Sequence, residues 1–143
     1  MVVEEKLTET PRGGRGFLGF PVNTDLDSLD AHIAVLGVPY GLPYTPDDLS
    51  NDQSRAPDLL REKAQDAGWS EPRTITHFDW DLGGPILDNR DVRVVDCGNV
   101  TADFQNPREH YRRAEAAAKR IFQSGALLIS IGGDHGIPIP IMR

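Results

Sequence analysis

Cysteine is scarce in this chain of 143 residues, and basic residues are outnumbered by acidic ones; each of these features excludes a class of protein. The single cysteine, Cys97, excludes an intramolecular disulfide framework. Fifteen basic residues against 22 acidic ones give a formal net charge of -7, which repels phosphate backbones and anionic lipid headgroups at long range. We therefore expect neither a nucleic acid nor a membrane as a partner.

Long apolar runs are also missing. No run approaches the roughly 20 residues that a bilayer span requires. The polar segment 1–16 has neither the apolar stretch of a secretory signal nor the acid-poor character of a transit peptide, so we expect a cytoplasmic protein. The length allows one core. We predict a flexible arm over residues 1–30 and a single domain, or part of one, over residues 31–143.

Three apolar segments within residues 31–143 predict buried strands. After the first of them, Pro57 suits the first position of a helix, Ala56 is disfavoured in helical geometry because it precedes proline, and Gly68 suits the helix end. The strand segments are HIAVLGV (32–38), VRVVDCGNV (92–100) and ALLISI (126–131).

A second helix is predicted between the last two strands. Asn106 offers an N-cap, Glu109 the reciprocal acid of a capping box, and Gly125 an end. The strand, helix and strand occupy about 40 residues, as in a right-handed parallel crossover. The sequence therefore predicts an α/β fold with a parallel sheet. The apolar face of this helix is predicted to comprise Tyr111, Ala114, Ala118, Ile121 and Phe122.

A histidine follows the last predicted strand, in the segment Gly132-Gly133-Asp134-His135. Ligands of open α/β sheets gather beyond the carboxyl ends of strands, glycines permit close backbone approach, and aspartate and histidine are frequent ligands of transition metals. The spacing alone nevertheless favours a plain structural interpretation, in which the glycines end the strand and His135 caps a turn. A nucleotide loop is disfavoured because the lysine of a Walker motif is absent.

The segment SIGGDHG, residues 130–136, with the prolines after it, resembles the Gly-Gly-Asp-His signature of the ureohydrolases, the arginase and agmatinase family. The resemblance implies a three-layer arginase-like fold, a parallel sheet with helices on both faces, of which residues 31–143 are an incomplete N-terminal part. It also implies that His135 is a ligand in a dinuclear manganese centre and that Asp134 could orient its imidazole. Three other segments follow the family's order: IAVLGVPYG, SRAPDLLRE and VRVVDCGNV.

The activity implied by the resemblance is metal-dependent hydrolysis of a small guanidino compound to urea and an amine, with agmatine as the leading candidate. The family's other ligand segments, Asp-x-His-x-Asp and Asp-x-Asp, would follow residue 143. We therefore predict an inactive fragment with no catalytic residue of its own, from an enzyme that is a homo-oligomer when complete. Gly136 and Asn99 depart from the serine and aspartate frequent in the family, and the loop 40–54 is expected to shape the entrance or a subunit contact.

Two alternatives stay open. The first places a metal on the segment THFDWDLGG, because His77, Asp79 and Asp81 would share one face of a strand. The favoured interpretation of that segment is a half-buried strand whose Phe78 and Trp80 face the core. The second is a non-catalytic ureohydrolase-like half-domain that binds a full-length partner. Of the other candidates, Cys97 is expected to pack as an apolar group, and His32 and His110 to be structural or surface residues.

Overall fold

The computed structural model describes residues 5–41, 51–68, 77–86 and 90–143. These residues form a four-stranded sheet with helices beside it and a separate two-stranded ribbon. The strands are β1 (Thr8–Glu9), β2 (Ile33–Val38), β3 (Phe78–Asp79), β4 (Gly84–Pro85), β5 (Val94–Val100) and β6 (Leu127–Gly132). The helices are α1 (Asp52–Asp66), α2 (Pro107–Gln123) and the short α3 (Pro138–Ile141), with 3-10 turns at Phe17–Gly19 and Leu26–Ser28.

The large sheet has the strand order β1-β5-β2-β6. β2 runs parallel to both β5 and β6, which confirms the predicted parallel sheet and all three predicted strands. β1 adds an antiparallel edge against β5, so the sheet is mixed. The carboxyl ends of the three parallel strands therefore lie together at one end of the sheet.

Alternation along β2 places the two long helices on opposite faces of the sheet. Ala34, Leu36 and Val38 join a buried apolar cluster with α2. Gly37 points the other way, because a Cβ at this position would lie 3.1 Å from the Arg61 guanidinium of α1. Helices on both faces are the three-layer arrangement that the resemblance implied.

The helix α1 begins earlier than the sequence predicts. Its N-cap is Asn51, whose side chain accepts from the Ser54 amide at 3.0 Å, and Pro57 lies inside the helix and is buried. The interpretation of Pro57 as the first helical residue was therefore wrong. A proline this near the start removes one intrahelical bond, and the Asn51 cap and burial of the ring outweigh that loss.

The helix α2 matches its predicted bounds closely. The Asn106 side chain accepts from the Glu109 amide at 3.3 Å, and Gly125 follows the helix with a φ of +85°. Glu109 does not complete a capping box, because its carboxylate bonds to arginines of the next turn and the Asn106 amide donates to Asp103 instead. The buried face also differs in part: Phe122 is exposed and His110 is fully buried.

Residues 5–30 lie against the sheet, in contrast to the arm that the sequence predicts. Thr8 is fully buried, and Leu7 and Leu26 belong to the main apolar cluster. β1 pairs with the end of β5, and Pro21 and Asn23 bond to the amide and carbonyl of Asp96 in the middle of the same strand. Long-range pairing of this kind has no local signature, which is why the sequence pattern missed it.

Candidate functional site

The loop after β6 is fixed to the end of β2 through main-chain contacts. The Asp134 amide donates to the Tyr40 carbonyl at 3.0 Å. A Cβ added at Gly133 would lie 1.8 Å from the same carbonyl oxygen, so any side chain at this position would displace the loop. The loop is therefore held at the sheet edge where the parallel strands end, which is the location predicted for a ligand site.

His135 lies in the turn that follows and is exposed. The Asp134 carboxylate accepts from the Gly136 amide at 2.7 Å, a bond that closes the turn carrying His135. That Asp134 also orients the imidazole stays a prediction. Gly136, where the family often has serine, fits closely: a Cβ there would lie 2.7 Å from the Tyr111 hydroxyl.

Three rings pack behind this loop. Tyr40 stacks on His110 with ring centroids 5.2 Å apart, and Tyr111 lies 4.9 Å from Tyr40 at a tilted angle. Burial, followed by a hydrogen bond with Tyr40, raises the pKa of Tyr111 to about 12, so this phenol stays neutral at physiological pH. The rings thus form a packed aromatic support for the loop.

His110 is fully buried in this support, so of the two roles expected for it, structural or surface, it has the structural one. Its Nδ1 accepts from the Asp103 amide at 3.4 Å, and no partner for Nε2 exists among the residues described. Burial is the main reason that the pKa of His110 is lowered, which favours the neutral imidazole. The residue packs by ring contacts with Tyr40 and Phe104.

The described part of the chain holds no group of three or more histidine, cysteine, aspartate or glutamate side chains placed to bind a metal. Manganese binds weakly in the divalent series and needs several oxygen and nitrogen donors. The donors described here therefore do not suffice to hold the ion, and His135 could offer only one nitrogen.

The alternative metal site on the segment 77–86 does not form. Asp79 accepts from the Asp81 and Leu82 amides at 2.9 and 2.8 Å, so it closes the tight turn between β3 and β4. Trp80 is 88% exposed and Phe78 46% exposed, so the prediction that both face the core was wrong. They pack edge to face on each other, with centroids 5.0 Å apart.

A buried ion pair between Arg61 and Asp96 was missed by the sequence analysis. The guanidinium donates twice to the carboxylate, each time at 2.8 Å, and once to the Asn99 side chain at 2.7 Å. The Asp96 carboxylate also accepts from the Phe17 and Gly98 amides. An aspartate inside an apolar strand was the available signal, since such a group requires a partner.

Cys97 is fully buried beside this pair. Burial, and secondarily the charge of Asp96, raises the pKa of its thiol to about 12. Because the thiolate is the reactive form, Cys97 is inert in the native protein. The expectation that it packs as an apolar group is confirmed.

Within the ranges described, no helix is long and apolar enough to cross a membrane. The site is a Gly-Gly-Asp-His turn at the carboxyl ends of parallel strands in a three-layer α/β fold, an arrangement that defines a class of strand-end ligand sites. A sequence model of the arginase family matches residues 31–143. The chain belongs to the arginase family, as the resemblance indicated.

The individual relatives are agmatinases of greater length. The agmatinase of Photorhabdus laumondii is 32% identical over 129 residues, and that of Proteus mirabilis 26% over 128 residues; each match covers 90% of this chain and 38% of the relative. A crystal structure described as a hypothetical agmatinase from Burkholderia thailandensis aligns with a TM-score of 0.65 and 25% identity, covering 99% of this chain and 42% of that one. The chain thus spans about two fifths of the length of these relatives.

Proposed function

We propose that this chain is the N-terminal portion of a manganese-dependent ureohydrolase that hydrolyses a guanidino compound, agmatine first among the candidates, to urea and an amine. The observation that carries the proposal is the loop bearing His135, held at the carboxyl ends of the parallel strands in a chain of the arginase family. The agmatinase relatives support the substrate class.

His135 is proposed to supply one nitrogen ligand, and the bound manganese would supply activation of water for attack on the guanidinium carbon. The main-chain bond from Asp134 to Tyr40 sets the position of His135, and the bond from Gly136 to Asp134 sets the turn. Because the described residues hold no group of three metal-binding side chains and the chain spans about two fifths of its relatives, the 143 residues alone are proposed to be inactive. The complete enzyme is proposed to be a homo-oligomer.

A chimera tests this function. The matching N-terminal region of the Photorhabdus laumondii agmatinase is replaced by this chain, and urea release and bound manganese are measured with agmatine, arginine and shorter guanidino acids. We expect the chimera to release urea. His135→Ala should abolish urea release and remove part of the bound manganese, whereas His77→Ala, which removes an exposed histidine of the ribbon, should leave urea release unchanged. A chimera that folds, as judged by cooperative thermal unfolding, and binds no manganese would contradict the proposal and favour the non-catalytic half-domain.

A further inference from the structure

The turn that carries His135 is fixed at both of its ends. The amide of the residue before His135 donates to the Tyr40 carbonyl at 3.0 Å. After the turn, the Ile137 side chain is buried against Gly132, where an added Cβ would overlap it. The direction of the His135 side chain therefore depends on the path that the main chain takes through Gly136, between these two anchors.

Tyr111 fills the space beside Gly136. A Cβ at Gly136 would lie 2.7 Å from the Tyr111 hydroxyl and 2.9 Å from a carboxylate oxygen of Asp134. The φ of Gly136 is not positive, so its backbone conformation is open to other residues, and the crowding by Tyr111 and Asp134 is the reason that glycine fits here. The space that a serine side chain at this position would need is taken by a phenol oxygen from α2.

Tyr111 is itself held in place from two sides. The helix α2, which carries it, packs into the main apolar cluster through Ala114, Ala117 and Ile121, all of them fully buried. The Tyr111 ring lies on the Tyr40 ring, with centroids 4.9 Å apart, and a hydrogen bond joins the two side chains. Because packed aromatic rings have few alternative rotamers, the Tyr111 hydroxyl is a fixed boundary for the turn.

We propose that Tyr111 is a positioning residue for His135: its hydroxyl, set against Gly136, fixes the path of the turn and with it the direction of the imidazole. The inference rests on the proposed function, in which His135 supplies a nitrogen to manganese. Groups that orient a metal ligand change metal affinity by roughly 10- to 100-fold when they are removed. Tyr111 acts through the main chain of the turn, so it determines where the ligand nitrogen lies.

The whole 143-residue chain, without metal, tests the effect on the turn. Gly136→Ala adds a Cβ against the Tyr111 hydroxyl, and Tyr111→Phe removes the hydroxyl but keeps the ring. We expect each single variant to speed exchange of the Asp134 amide, followed by NMR, about tenfold, because the first displaces the turn and the second loosens it. The double variant should exchange at nearly the native rate, since the added Cβ then takes the space that the oxygen leaves.

Gly84→Ala is the matched control for the added Cβ. Gly84 lies in the ribbon, its φ is not positive, and no atom lies within 4 Å of a Cβ at this position. The substitution should therefore leave exchange of the Asp134 amide unchanged.

The chimera with the Photorhabdus laumondii agmatinase tests the consequence for the metal. Tyr111→Phe should raise the manganese dissociation constant about tenfold, and adding Gly136→Ala should restore most of the affinity. Because the loss is one of affinity, excess manganese should restore urea release by the Tyr111→Phe chimera. A tyrosine that only stabilised the fold would lower the unfolding temperature and leave the manganese dissociation constant of the folded chimera unchanged.

Three results would overturn the proposal. Both single variants could leave exchange of the Asp134 amide at the native rate, or the double variant could be as impaired as the two single changes added together, which would show that Tyr111 and Gly136 act independently. An unchanged manganese dissociation constant in the Tyr111→Phe chimera would be the third. A chimera with native residues that binds no manganese would contradict the proposed function instead, and amide exchange in the chain alone would still decide whether Tyr111 sets the turn.

Discussion

At the scale of single residues, the Arg61 and Asp96 pair is the most consequential contact in the described part of the chain. Both side chains are essentially inaccessible, and every bond of the carboxylate is made within the protein. The pair joins α1 to β5 and to the N-terminal segment at once. Charges buried in this way stabilise a fold only while both partners are present.

Replacing Asp96 should therefore be costly. Asp96→Asn removes the fully buried counter-charge of Arg61 and leaves only the partly exposed Asp58 carboxylate, 3.7 Å from the guanidinium, so we expect the free energy of unfolding to fall by about 3 kcal/mol. Urea denaturation followed by circular dichroism measures the loss. Asp30→Asn is the matched control, because Asp30 pairs with Arg93 at 2.8 Å but is 81% exposed, and its loss should be below about 0.5 kcal/mol. Equal losses in the two variants would show that burial of the first pair contributes nothing.

His110 should make the fold sensitive to mild acid. Its pKa is lowered in the native state, mainly by burial, from an ordinary value of 6.5, so the unfolded chain takes up the proton first as pH falls. Stability is then full above about pH 6.5 and decreases as pH falls below it. The variant His110→Phe keeps the stacking on Tyr40 and removes the unpartnered Nε2, so it should lose less stability between about pH 7 and pH 5. Parallel pH profiles of the unfolding free energy in the two proteins would contradict this.

At the scale of elements, the sequence predicted best what local signals determine. The helix α2 follows from an asparagine cap, a regular apolar face and a glycine stop within one segment, and its bounds agree with the structure. The start of α1 was missed because the rule for residues before proline was applied where an earlier cap decides the helix start. β1 and the covering of β5 depend on contacts between distant segments, which no local pattern contains.

The bulge in β5 gives a test of long-range packing. The register between β2 and β5 shifts where Gly98 has a φ of +77°, and a Cβ there would lie 2.1 Å from the Glu9 carbonyl oxygen in β1. Gly125, after α2, has a φ of +85° with no atom near a Cβ. We expect Gly125→Ala to cost about 1 kcal/mol from backbone geometry alone, and Gly98→Ala about 3 kcal/mol or more. Chemical denaturation of the two variants measures the difference. Equal costs would show that β1 moves away from the added Cβ without a loss of stability.

At the scale of the whole molecule, the placement of His135 after a strand end could be predicted, and the side chains that surround it could not. His135 follows a strand end in a parallel sheet, a placement that sequence and topology share. The ring support formed by Tyr40, His110 and Tyr111 could not be predicted, because it joins residues from the end of β2 and from α2. The hypothesis of a metal site on the ribbon was wrong, because Asp79 accepts two main-chain hydrogen bonds within its own turn.

The metal donors among the described residues also predict how the chain alone responds to manganese. A ligand that binds only the native state raises its stability in proportion to the logarithm of one plus the ratio of ligand concentration to dissociation constant. Since the described residues offer no group of three donors, we expect a dissociation constant for manganese well above 1 mM, so 1 mM manganese should raise the unfolding temperature by less than about 1 °C. Thermal unfolding with and without manganese is the measurement, with magnesium as the control ion. An increase of several degrees specific to manganese would contradict this expectation.

The closed flank along β5 makes the sheet one-sided. The segments around Thr8 and Val22 occupy that side, whereas the turn bearing His135 follows β6 at the opposite side. Among the residues described, the imidazole therefore stands open to water on the flank away from the N-terminal segments.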